Sequence, residues 1–297
     1  MVSKRIFFDR CARQVMICLA VAAGLIVFAM AMGLYIRSEP ILSTKPLTEL
    51  LFSSSWHPLR GDFGFFPFIM GTLWVTGVAI LIAVPLCLLT TIYLSEYAPF
   101  RIKESIKPLI DLLAGIPSVV FGVWGILTIV PLIKDHIAPL CDTFSSGYTV
   151  LAGGIVLAVM IFPVIIHVSL EVIDSLPAQI RDASLALGAT RSQTVKHVIL
   201  RKAMPGIIAA IVLGLSRAFG ETMAVLMVAG NVARVPSSIL DPAYPLPALI
   251  ANNYGEMLSV PLYDAALMLA SLVLLVVVLF FNIISQIILV RVQRRSQ

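Results

Sequence analysis

Charge is scarce in this chain. Of its 297 residues, 12% are Asp, Glu, Lys or Arg while 59% are hydrophobic, against roughly 25% charged residues in a soluble domain. A large water-soluble globule is excluded. Cysteine is scarce as well. Of the four, Cys11, Cys18 and Cys87 fall in or beside apolar blocks and leave Cys141 alone in a polar stretch, so neither a disulfide framework nor a metal-ligand spacing can be built. There is no Gly-x4-Gly-Lys-Ser/Thr phosphate loop, and the chain is not expected to hydrolyse ATP. Ser/His/Asp constellations, paired catalytic carboxylates and nucleophilic cysteine settings are missing too. No enzyme activity, metal or cofactor is expected of this chain.

What is abundant is long apolar sequence. Six blocks stand out, at about Val15–Ile36, Pro67–Tyr93, Pro108–Ile133, Thr149–Ile173, Ala203–Gly230 and Leu262–Val290. Each reaches the length of about 20 residues that crosses a hydrocarbon core. An all-α integral membrane protein with six transmembrane helices follows. No Gly/Ser linker divides it, so 15–290 reads as one membrane domain between short tails at 1–14 and 291–297. The first block exceeds the core of a signal peptide and reads as an uncleaved anchor.

Positive residues decide the orientation. Fifteen Lys and Arg lie on the side of the two tails and the connections after the second and fourth spans, whereas Arg37, Lys45, Arg60, Lys134 and Arg234 lie on the other. The richer side is cytoplasmic. Both termini and the 174–202 connection are therefore expected inside. The net charge of +5 is a topological signature facing membrane lipid, and nucleic acid is not an expected partner. On the outside, the 231–261 connection carries five prolines and an apolar Leu246–Ile250 patch. It reads either as a stiff interfacial loop or as a docking surface or outer gate.

The 174–202 connection is patterned. Leu176, Ile180, Ala183 and Leu187 recur at helical spacing, Gly188 suits a sharp turn, and Val195, Val198 and Ile199 follow with Arg191, Lys196 and Lys202 interspersed. Two short helices joined at a glycine are expected. The same pattern also suits an amphipathic helix on the membrane surface.

At this segment the chain resembles ABC-importer permeases. Asp182-Ala183-Ser184-Leu185-Ala186-Leu187-Gly188-Ala189 is similar to their cytoplasmic Glu-Ala-Ala motif, with Arg201 where the family has proline. Further runs resemble the permease subunits of the phosphate-specific ABC importer, the C-type subunit more than its A-type partner. These are Ser95-Glu96-Tyr97-Ala98-Pro99, Leu112 through Val120, and Arg217-Ala218-Phe219-Gly220-Glu221-Thr222-Met223-Ala224-Val225-Leu226-Met227. The resemblance implies a type I importer permease in the bacterial cytoplasmic (inner) membrane, moving inorganic phosphate by alternating access. It implies a homologous second permease, two ATPase subunits that use the ATP, and a periplasmic phosphate-binding protein. It places Asp182, Ala183, Ser184 and Gly188 on the coupling segment that fits the ATPase. Permeases for sulfate or molybdate share this architecture. A secondary transporter or channel would need internal repeats or more spans, and would leave the 174–202 segment unexplained.

Arg217 and Glu221 fall in the middle of the fifth block, where a charge costs several kcal/mol unless it faces protein or water. On a continuous helix they lie at i and i+4, within a stripe formed by Gly206, Ala210, Gly214 and Ala218. They read either as a permanent salt bridge between helices or as a guanidinium that binds an oxyanion. The resemblance favours the substrate pathway. Gly115, Pro117, Gly122 and Gly125 imply a bent or broken third helix. Free amides near Ser118 are then a weaker anion site, and a kink made for packing serves equally well. His167, Glu171, Asp111 and Asp264 are assigned structural places near helix ends.

Overall fold

A computed structural model describes residues 2–256 and 260–296. Six helices in it are long and apolar enough to cross a membrane. Helix α1 (Val2–Leu42) leads to a connecting segment containing α2 (Leu47–Phe52) and a small antiparallel hairpin, β1 (Trp56–His57) with β2 (Asp62–Phe63). Then come α3 (Phe66–Tyr97), α4 (Phe100–Gly115), α5 (Ser118–Leu140) and α6 (Val150–Asp174). The remainder is α7 (Ala178–Ala186), α8 (Arg191–Gly220), α9 (Met223–Val228), α10 (Leu246–Asn253) and α11 (Tyr263–Ser296).

Helix α6 is the axis of the bundle. Two thirds of its apolar window (67%) is buried, whereas none of α1's is. Helices α3 and α8 flank α6, α11 packs on α8, and α1 lies outermost against α11. Lipid is as apolar as leucine, so helices associate here through close packing over small residues. A Cβ on Gly154 would come within 2.4 Å of Val78 on α3, and one on Gly214 within 2.6 Å of Ile165 on α6. Ala210 and Ala218 are buried alongside Gly214, so the small-residue stripe of α8 is the face against α6.

Several expected boundaries move. The tail at 1–14 is helical from Val2, and α1 runs past Ile36 to Leu42. Helix α11 continues through the expected tail to Ser296. The block Pro108–Ile133 is not one rod. Ile116 and Pro117 are extended (ψ 129° and 142°) and separate α4 from α5. Proline lacks the amide to continue a helix and disfavours helical backbone at the residue before it. Helix α4 carries Arg101, Lys103, Glu104, Lys107 and Asp111 and lies along the C-terminal half of α6, with Lys103 2.7 Å from Asp174.

The 231–261 connection turns back into the bundle. Leu246, Ala248 and Leu249 are buried, Leu246 donates its amide to Thr72 Oγ1 at 2.8 Å, and Tyr244 meets the Phe68 ring edge-on. The apolar patch is therefore neither an interfacial loop nor an exposed docking face. It is folded inward against the N-terminal parts of α3 and α11. Burying it removes apolar side chains from the aqueous face.

Candidate functional site

The fifth block does not form one helix through the membrane. Helix α8 stops at Gly220, Glu221 is extended (φ −74°, ψ 126°), and α9 starts at Met223. Gly214 abuts Ile165, and Ala218 shares a cluster with Leu157 and Ile161. These partners lie mid-way along the 25 residues of α6, so α8 ends at the level of the membrane centre. A helix broken at that depth leaves backbone polar groups without helical partners.

This break separates the expected i, i+4 pair. Arg217 lies in the last turn of α8. Glu221 lies beyond it, and its Oε1 accepts the amide of Ala224 in the first turn of α9 at 3.3 Å. Among the described residues no ion pair joins Arg217 to Glu221. Each charge answers a helix dipole, the cation at a C-terminal end and the anion at an N-terminal end. Glu221 is half-buried beside Thr72, Thr76, Pro245 and Pro247, in a space of ≈ 10 Å³.

Arg217 is not directed at α6. Gly214 and Ala218 take that face, Ser216 donates to Asn282 on α11 at 2.5 Å, and Phe219 stacks on Phe281. Arg217 is exposed together with Leu213 and Gly220 on the remaining face. A guanidinium open at mid-membrane depth cannot rest against acyl chains, so this face borders protein or water. A Gly220-Glu221-Thr222 sequence carries the signal for the break: a glycine stop, then an acid and a hydroxyl before a second apolar run.

Ser118 is half-buried as the first residue of α5, directly after the break at Pro117. Helix α9 packs on α5 through Gly122, where a Cβ would lie 3.3 Å from Ala224 Cα. Ser118 and Glu221 thus stand at the starts of two packed helical segments.

On the 174–202 connection, α7 ends at Ala186 and Gly188 takes φ +84°. Thr190 and Gln193 form a reciprocal cap at the start of the next helix, satisfying amides that a helix start leaves free. That helix is not a second short one: it is the beginning of α8, and Arg201 lies inside it without interrupting it. Asp182, Ala183 and Gly188 are exposed, and Ser184 shares a 2.9 Å hydroxyl bond with Thr194. Leu187 is 90% exposed.

Sequence reading missed the contacts beneath this segment. Arg181 donates to Glu96 Oε1 through Nε at 3.1 Å and Nη2 at 2.8 Å, and Arg191 donates to the Glu96 carbonyl. The Ser95–Pro99 run supplied a resemblance but no local pattern that names its partners. His167 lies 3.6 Å from Asp111, and both line a 420 Å³ polar cavity with Lys107, Glu171 and Asp174. Asp111 lies near the end of α4, not at a helix start, so the N-terminal argument does not apply to it. Asp264 does occupy the first turn of α11. Outside the membrane, a hydrogen bond from Lys45 holds Asp62 below its ordinary carboxylate value, and the amide of Ser237 does the same for Asp241.

Comparisons with known proteins agree with this architecture. The model of the binding-protein-dependent transport system inner membrane component family matches residues 87–297. A probable ABC transporter permease protein, YqgH of Bacillus subtilis, is 38% identical over 93% of this chain and 87% of its own length. The phosphate transport system permease protein PstC of Xylella fastidiosa is 34% identical over 84% of this chain and 80% of its own. That of Haemophilus influenzae is 34% identical over 83% and 82%. Among solved structures, an inward-facing methionine ABC transporter, MetNI, is similar with TM-score 0.55 at 20% identity, covering 84% of this chain and 98% of that one. A multi-pass chain with this fold, these relatives and a match over most of its length belongs to the family of binding-protein-dependent transport system inner membrane components.

Proposed function

We propose that this chain is the permease subunit of an ATP-driven importer that carries inorganic phosphate across the inner membrane by alternating access. The structural observation that carries the reading is Arg217, a guanidinium exposed at mid-membrane depth where α8 stops. A phosphate oxyanion matches its fork of donors. Relatives named as phosphate transport permeases supply the substrate, and sulfate or molybdate is the alternative on the same architecture.

The open face of Arg217 calls for a second, homologous permease to complete the pathway. The exposed α7 with Leu187 beyond it is the docking knob for a separate ATPase, two copies of which supply the energy. A periplasmic phosphate-binding protein delivers the anion from outside. Both termini and α7 lie in the cytoplasm, as the Lys and Arg distribution directs. No covalent chemistry is asked of this chain; the anion exchanges water for Arg217 and leaves unchanged.

The test is reconstitution of all four components in proteoliposomes. ATP-dependent uptake of labelled phosphate, resistant to excess sulfate and molybdate, is expected. Uptake of sulfate or molybdate in place of phosphate would overturn the substrate.

A further inference from the structure

Glu96 is the single charged side chain that is buried among the described residues, 8% exposed at the inner end of α3. Its Oε1 accepts both Nε and Nη2 of Arg181, 85 positions away, and Ser95 Oγ approaches the same oxygen at 3.4 Å. Arg181 also donates to the Leu176 carbonyl at 3.0 Å and the Ile173 carbonyl at 3.1 Å, which ties it to the last turn of α6 and the residues just beyond. Arg191, at the start of α8, donates to the Glu96 carbonyl and lies 5.2 Å from the centre of the Tyr97 ring. Four elements, α3, α6, α7 and α8, therefore meet at residues 96 and 97.

Helix α7 has no buried residue of its own. Ile180 is its one half-buried apolar side chain, so its orientation rests chiefly on polar contacts, those of Arg181 and the Ser184–Thr194 bond. Apolar contacts tolerate sliding, whereas a guanidinium fork bonded on several sides fixes direction as well as distance. A buried ion pair adds little net stability over apolar residues of similar size. What it supplies here is a defined angle between the exposed α7 and the spans beneath it.

We propose that Glu96 is a positioning residue for transport: it locks α7 to the inner ends of α3 and α6, so that displacement of α7 is transmitted to those spans. The proposal rests on α7 being the element on which the ATPase acts. With the joint in place, α7 moves as one body with α3 and α6. Without it, α7 can tilt under load while the spans stay where they are, and ATP is hydrolysed without transport.

The test uses the complete complex in proteoliposomes. Glu96→Gln and the double variant Glu96→Met/Arg181→Met are compared with wild type for phosphate moved per ATP hydrolysed by assembled complex. The double variant leaves no unpaired buried charge, so it keeps the test alive should the single one fail to assemble. Expected is continued ATP hydrolysis with a transport ratio lower by about tenfold, and recovery toward wild type in Glu96→Asp. In parallel, spin labels are placed at Gln179→Cys and Leu89→Cys, exposed positions on the first turn of α7 and on α3, in a background without other cysteines. Their separation should be narrow and unchanged by trapped ATP in wild type, and broadened and displaced by it in the variants. An assembled double variant with the wild-type ratio and wild-type label distances overturns the joint. The label distances do not depend on which anion is carried, so a wild-type complex that moved sulfate instead would refute the substrate and leave this test intact.

Discussion

Arg217 and Glu221 stand four residues apart in sequence but on opposite sides of a helix break, one in the last turn of α8 and the other bonded to the first turn of α9. They are neighbours that each serve a different helix end. Arg217→Met should lower phosphate uptake about 100-fold in assembled complex, the scale of one lost charge-assisted hydrogen bond to the substrate. Glu221→Gln keeps an oxygen acceptor for the Ala224 amide and should lose only a few-fold. Unpaired groups should act additively, so the double variant is expected to show the product of the two losses. Recovery of uptake in the double variant would establish a pair after all.

Gly188 is the second test. At φ +84° its backbone is left-handed, where a side chain costs roughly 1–2 kcal/mol. There is open space around it, so Gly188→Ile strains the turn without a clash. Membrane insertion should be normal, while co-purification of the ATPase and uptake should both fall about tenfold for each 1.4 kcal/mol of strain transmitted to docking. Normal co-purification with normal uptake would remove this turn from coupling.

Packing of α8 on α6 predicts a volume effect. A Cβ at Gly214 would meet Ile165 at 2.6 Å, whereas one at Gly77 meets nothing within 4 Å. Gly214→Val should destabilise the bundle by about 1–3 kcal/mol and Gly77→Val should not. Thermal unfolding of the purified complex in detergent measures both. Ile165→Ala should partly restore Gly214→Val by returning the space.

The orientation is open to labelling. Cys141 is exposed and should react with an impermeant thiol reagent on intact cells in which it is the sole cysteine. A single cysteine at Leu187→Cys, in cells without the ATPase, should react only after permeabilisation. Labelling of position 187 in sealed cells would invert the topology.

Acid should loosen the 231–261 connection before the bundle. Asp241 Oδ2 accepts the amides of Ser237 at 2.9 Å and Ser238 at 3.1 Å, and its carboxyl is held below the ordinary value of 3.8. A depressed folded value means that the ion contributes stability above the unfolded value and loses it as pH falls through the folded one. Proteolytic nicking in 231–245, scored with an acid-tolerant protease, should rise as pH drops below about 4. Asp241→Asn should show the raised nicking at neutral pH and a flat profile below.

Six spans, the stripe Gly206–Ala218, the broken third block and the glycine turn at 188 were legible in the sequence. Each is a local quantity: hydropathy summed over about 20 residues, a repeat every turn, or a residue that backbone geometry singles out. The inward fold of Leu246–Leu249 was decided elsewhere, since it needs Thr72 and Phe68 from another helix. The stop of α8 at Gly220 has a local mark in Gly220-Glu221-Thr222, but a hydropathy sum runs straight across it because the longer runs on either side are apolar. Glu96 with Arg181 and Arg191 is the clearest case. Its partners lie 85 and 95 positions away, and only the packing of α3 beside α6 brings them within reach. Composition placed this chain in the membrane, because transfer free energy adds along a segment. Which charges meet inside it was settled by tertiary structure, because a hydrogen bond depends on ångström-scale position that no local pattern carries.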